Sequence, residues 1–181
     1  SSAASDVYKR QELRSNNNFI WDNIIGEGNV FGLNLQSSSN NTIVDNDVTG
    51  NWYGILLEEA NYNMIANNNI SDNIWYGILI YYSSTDNVLT GNNIINDHYG
   101  IQLYHSSTGN TVYNNFISKN YRGISANMSN CANIHNNTLV DNYIGILVKN
   151  IYTNHLICNN FIIYSHFGII LQNSTQSNIL N

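Results

Sequence analysis

A glycine followed by a branched aliphatic residue recurs seven times, at Gly32-Leu33, Gly54-Ile55, Gly77-Ile78, Gly100-Ile101, Gly123-Ile124, Gly145-Ile146 and Gly168-Ile169. The steps are 22, 23, 23, 23, 22 and 23 residues. Other columns keep the same beat. Asparagine returns at Asn23, Asn46, Asn68, Asn92, Asn115, Asn137 and Asn160, with an apolar residue three before and another two after each. A further apolar column runs through Leu35, Leu57, Ile80, Leu103, Ala126, Val148 and Leu171. A fold for this chain has to be a repeat, stacked.

The unit is not helical. Nearly every ten-residue window carries asparagine or glycine, and apolar residues alternate with a spacing of two. Runs such as 54–57 (Gly-Ile-Leu-Leu) and 41–44 (Asn-Thr-Ile-Val) read as strands of four or five residues. Three such strands and three turns fill one period. A leucine-rich repeat would need a half-helical unit, hexapeptide coils a shorter period, and the calcium-binding nonapeptide is absent. The remaining solution is all-β: a single-stranded, three-sided parallel β-helix of about seven rungs, each pairing with the next at about 4.8 Å. Six steps at that spacing give a rod of about 29 Å.

Composition fits this reading. Of 181 residues, 37 are asparagine and 25 isoleucine, and proline is absent. Stacked isoleucines make a core stripe, and inward asparagines at a turn can form an amide ladder. Glycine is expected to supply the backbone freedom of a sharp corner. Proline would remove a ladder donor where nearly every strand is central. A net charge of −6 with six basic residues argues against nucleic acid. No run of apolar residues is long enough to span a membrane as a helix.

Residues 1–14 lie outside the repeat. The stretch Asp6-Val7-Tyr8-Lys9-Arg10-Gln11 resembles a translated sequencing-adapter end. The expected division is a non-repeat leader at 1–14 and a solenoid at 15–181, excerpted from a longer protein. Terminal rungs of such an excerpt would be adhesive edges, favouring end-to-end self-association.

The pattern Gly-Ile-x-Leu, a Ser-rich turn, then Asn-x-Ile-x-x-Asn-x-Ile resembles the NosD-like repeats of right-handed parallel β-helices. Residues 77–99 carry it well: Gly77-Ile78-Leu79-Ile80, Ser83-Ser84, Asn87-Val88-Leu89 and Asn92-Asn93-Ile94. These repeats belong to the carbohydrate-binding and sugar-hydrolase (CASH) group. The resemblance implies the right-handed sense. It also implies a secreted, cell-surface or periplasmic location, and company that includes polysaccharide lyases, epimerases and a protein of copper-enzyme maturation. The matching residues are core and corners, so they say little about function.

Function must sit on outward columns. Trp52, Trp75, His98, Tyr121, Tyr143 and His166 stand two residues before each glycine. Strand alternation, taken from an inward Ile55, turns this column out and the neighbouring Tyr53 column in. An outward aromatic stack could bind sugar rings, with Glu58, Gln102 and Arg122 reaching hydroxyls. Alternatively, such a stack only stabilises the sheet. Among the acids Asp45, Asp47, Glu58, Glu59, Asp72, Asp97 and Asp141, only Asp72 with Asp97 could pair across rungs for glycoside chemistry. A lyase, hydrolase or epimerase would then have an incomplete site here. His135 with Cys158, and His105 with Met128, share columns on adjacent rungs. Each is a pair, short of a full ligand set, so no cofactor is expected, with calcium or copper the ions to consider. Cys131 lies far from Cys158 within the rung, against a disulfide. Five glycosylation sequons match the number chance gives. Three roles remain open: a polysaccharide-binding module, a carbohydrate-active enzyme domain, and an architectural spacer.

Overall fold

The computed structural model describes residues 12–151, 153–175 and 177–180. The chain winds as a parallel β-solenoid of about seven turns, and its strands fall into three parallel sheets. One rung shows the plan. Tyr53–Glu58 lies in sheet A, Met64–Ala66 in sheet B and Asn69–Ser71 in sheet C, before Tyr76–Tyr81 returns to sheet A. Sheet A strands are long and the others short. Among the described residues the first parallel pairing sets Glu12 and Leu13 against Asn34 and Leu35.

Pairing is in register from rung to rung. Ile55, Ile78, Ile101, Ile124, Ile146 and Ile169 form one continuous column. Within one rung Ile55, Leu57, Ile65 and Ile70 are wholly buried, and each stabilises the fold by about 1.5–3 kcal/mol.

The recurring glycine does a different job from the one expected. Gly54 does not adopt a left-handed backbone; the next rung simply comes too close. A Cβ on Gly54 would stand 2.5 Å from the carbonyl oxygen of Gly77, and one on Gly100 would stand 2.7 Å from that of Gly123. Left-handed corners are held instead by residues such as Asn67 (φ 55°), Asn114 (φ 55°) and Asn136 (φ 56°), whose short side chains tolerate that region.

Three asparagine ladders run along the rod, one per corner. In the expected column the backbone N–H and Nδ2 of Asn68 both donate to Oδ1 of Asn92 at 3.0 Å, and Asn92 repeats this onto Asn115. A second ladder passes through Asn18, Asn41, Asn63, Asn87 and Asn110. The third passes through Asn29, Asn51, Asn73, Asp97, Asn120 and Asn142, with an aspartate in place of one amide.

Candidate carbohydrate-binding face

The glycine also settles which way its neighbours point. In sheet A the pairing passes from Tyr53↔Tyr76 to Ile55↔Ile78 and skips the glycine. A side chain at Gly54 would meet Ile70 and Asn73, in the interior, and Ile55 is interior as well. Two consecutive residues face in, as at a β-bulge, and the alternation resets. Tyr53 is therefore not a core residue, contrary to the expectation from simple alternation. It faces out and is half-buried.

This reset builds two walls on the outer face of sheet A. One wall is Phe31, Tyr53, Tyr76, Tyr99 and Arg122. Rings of Tyr53 and Tyr76 stack at 5.4 Å and those of Tyr76 and Tyr99 at 4.9 Å. The guanidinium of Arg122 caps the row 4.8 Å from the Tyr99 ring centroid. The opposite wall is Gln36, Glu58, Tyr81, Tyr104, Asn127 and Lys149, with Tyr81 and Tyr104 stacked at 5.8 Å. Between them Leu56, Leu79 and Gln102 are almost covered. Two adjoining recesses result. One of about 300 Å³ is lined by both walls from Phe31 to Tyr104, with Glu58 its one carboxylate among the described residues. The other, of about 240 Å³, is lined by Tyr76, Tyr99, Gln102, Tyr104, Arg122 and Asn127.

Protonation follows from this crowding. Burial, then the neighbouring Tyr99, Tyr53 and Tyr104, pushes the Tyr76 phenol above its ordinary value, while Arg122 opposes. Tyr76 is thus a hydrogen-bond donor at neutral pH, unsuited to act as a base. The Nε of Arg122 is buried without an acceptor, and among the described residues no carboxylate pairs with this guanidinium.

The corner column anticipated from sequence does face solvent. Trp52, Trp75, Tyr121 and Tyr143 are each more than two-fifths exposed. Its chemistry is not uniform, however. His98, Tyr121, Tyr143 and His166 stack face to face at 5.0 Å with interplanar angles of 13°, 8° and 5°. Tyr121 and Tyr143 are thus covered on both π faces, leaving their ring edges to solvent. Burial and the charge of Arg122 lower the His98 pKa, which keeps this imidazole neutral within the stack. Trp75 meets His98 edge-on at 82°, and no ring of the described residues stacks on Trp52. Trp52 and Trp75 therefore stand outside the face-to-face stack.

Other sequence candidates fall apart. Asp97 lies inside the third ladder, whereas Asp72 is exposed at a left-handed corner (φ 57°), where Oδ1 accepts from Asn96 Nδ2 at 2.6 Å. The two acids do not face a common groove. Gln102 is floor, its Nε2 donating to the Leu103 carbonyl at 2.9 Å, and Glu58 accepts from Gln36 at 3.3 Å. Tyr81 and Tyr104 escaped sequence reasoning, although counting outward from inward Leu57 would have found their column. His135 and Cys158 are paired in register, with Tyr113 stacked on His135. His105 packs against Tyr82, and both cysteines are free thiols.

Comparison with solved structures returns the same architecture in carbohydrate-active proteins. The mannuronan C-5 epimerase AlgE4 A-module of Azotobacter vinelandii aligns with a TM-score of 0.77 at 16% identity, over 93% of this chain and 56% of that one. The AlgE6 A-module from the same organism gives 0.70 at 13%, over 94% and 56%. The periplasmic alginate epimerase AlgG gives 0.65 at 20%, over 90% and 44%. Identities this low are likenesses of fold, and the chain spans about half the length of these proteins. No curated protein sequence matches significantly. Residues 13–122 match the family described as "Periplasmic copper-binding protein (NosD)". A copper centre does not fit the donors on view: among the described residues no three His, Cys, Asp or Glu side chains gather at one place. That family match covers more than half of the sequence, and the chain belongs to the NosD family of β-helix repeat proteins.

Proposed function

We propose that this β-helix is a polysaccharide-binding module of the cell envelope or its exterior, which lays an acidic glycan along sheet A. One observation carries the reading: Arg122 stands in a polar recess between tyrosine walls with no acid among the described residues to neutralise it. A guanidinium in that state matches a sugar carboxylate, which it can hold through two parallel hydrogen bonds. Lys149 continues the positive end of the same face. Rungs repeat at about 4.8 Å, close to the advance of one pyranose in an extended chain, so successive sugars meet successive phenols. Trp52 and Trp75, exposed and outside the face-to-face stack, meet sugar C–H groups at the adjoining corner. The fold relatives named as mannuronan and alginate epimerases, and the word periplasmic in the descriptions of AlgG and of the family, support both the ligand class and the location.

Binding is favoured over turnover because Glu58 is the one carboxylate among the described residues that line either recess, and Tyr76 keeps its proton. Calorimetry with polymannuronate and with a neutral glucan tests the proposal. Polymannuronate is expected to bind more tightly, with salt weakening it and Arg122→Gln lowering its affinity by at least tenfold. If neither polymer binds, the reading fails. Release of an unsaturated product from polymannuronate would establish a lyase instead.

A further inference from the structure

Asp97 interrupts the third ladder, and its surroundings are those of an amide. Elsewhere in that ladder Nδ2 spends its hydrogens on oxygens. Asn120 donates to Ser118 O at 2.9 Å, Asn142 Oδ1 at 3.0 Å and Ile94 O at 3.4 Å. By the register of the repeat, the counterparts around position 97 are Ile95 O, Asn120 Oδ1 and Ile70 O. Oδ1 of Asp97 is well served, accepting from the backbone N–H of Asn73 at 2.7 Å and from its Nδ2 at 3.0 Å. Oδ2 is buried and receives no donor. It packs against the bulge at Gly77, where a Cβ would lie 2.6 Å away. An ionised carboxylate would thus turn a bare oxygen toward other oxygens, out of reach of water, which is strongly unfavourable.

We infer that Asp97 carries a proton on Oδ2 in the folded protein and donates it into the ladder, forming a pH-dependent latch beneath the Tyr76–Tyr99 wall. The latch is placed to matter. Gly77 follows Tyr76 directly, and His98 and Tyr99 follow Asp97, so the corner it closes sets the pose of the binding face. The rung before brings Asp72, its own rung brings Tyr76 and His98, and the rung after brings Tyr99 and Lys119. Of these Asp72 bears on the carboxyl, opposing ionisation. Burial is the larger cause, and together they push the group from an ordinary 3.8 to about 8.

The sign follows from linkage. Between about pH 4 and 8 the folded chain holds a proton that the unfolded chain has lost, so stability falls as pH rises and levels off above the folded value. Chemical unfolding of the wild type and Asp97→Asn across this window tests it. The amide supplies the missing donor at every pH. The variant's folding constant relative to wild type should therefore climb about tenfold per pH unit. Parallel profiles for the two proteins would overturn the inference. Should the variant not fold, the infrared carbonyl band of a neutral carboxylic acid in the wild type at pH 7 decides, its absence ruling the latch out. The effect on glycan affinity rests on the proposed function: binding should weaken through pH 8 in the wild type and not in Asp97→Asn. The stability readout needs no ligand, so it stands or falls separately.

Discussion

Gly54 and Gly77 face each other across one rung, so close that a methyl group on the first would lie 2.5 Å from the carbonyl oxygen of the second. The obstacle is backbone, which cannot rotate away. Gly54→Ala should destabilise the protein by about 3 kcal/mol, the upper end for overpacking. Gly26→Ala is the control, since nothing lies within 4 Å of its added carbon. Denaturant midpoints of the two variants check the contrast, and equal midpoints would refute it.

The two tryptophans and the stacked rings beyond them should separate cleanly on mutation. Trp52→Ala with Trp75→Ala removes two exposed rings and should weaken glycan binding while leaving the melting temperature nearly unchanged. Tyr121→Ala removes a ring held 5.0 Å from both His98 and Tyr143. It should cost about 1 kcal/mol of stability with binding preserved. Titration calorimetry and thermal unfolding on the same samples read both effects.

The ladders allow the behaviour of Asp97 to be transplanted. Asn92 is 1% exposed, and its Nδ2 donates to Ile65 O at 2.9 Å and Asn115 Oδ1 at 3.0 Å. Asn92→Asp places a carboxyl among the same acceptors. Its folded-state pKa should rise, as that of Asp97 does. The variant should approach wild-type stability near pH 4 and lose about tenfold in folding constant per pH unit above it. A stability difference independent of pH would contradict this.

The fold was legible from the period alone, because each rung repeats the same inward isoleucines and pairs with its neighbour in register. Orientation was less so. Strict alternation from Ile55 sends Tyr53 inward, and only the glycine that drops out of the pairing turns it outward. Two of the three ladders went unread even though Asn41, Asn63, Asn87 and Asn110 keep the same beat. Asp97 consequently looked like a surface acid awaiting a partner. A sequence records which residue types recur, but whether a ring offers its face or its edge depends on the ring stacked next to it. That is why the corner column read as one uniform platform.

The ladder bonds between rungs join residues 22 to 27 positions apart, and they reach the rungs immediately before and after. Closing one turn requires only that the previous turn be in place. Such a chain can fold vectorially, as it emerges during synthesis, adding one 22- or 23-residue coil at a time onto a finished template.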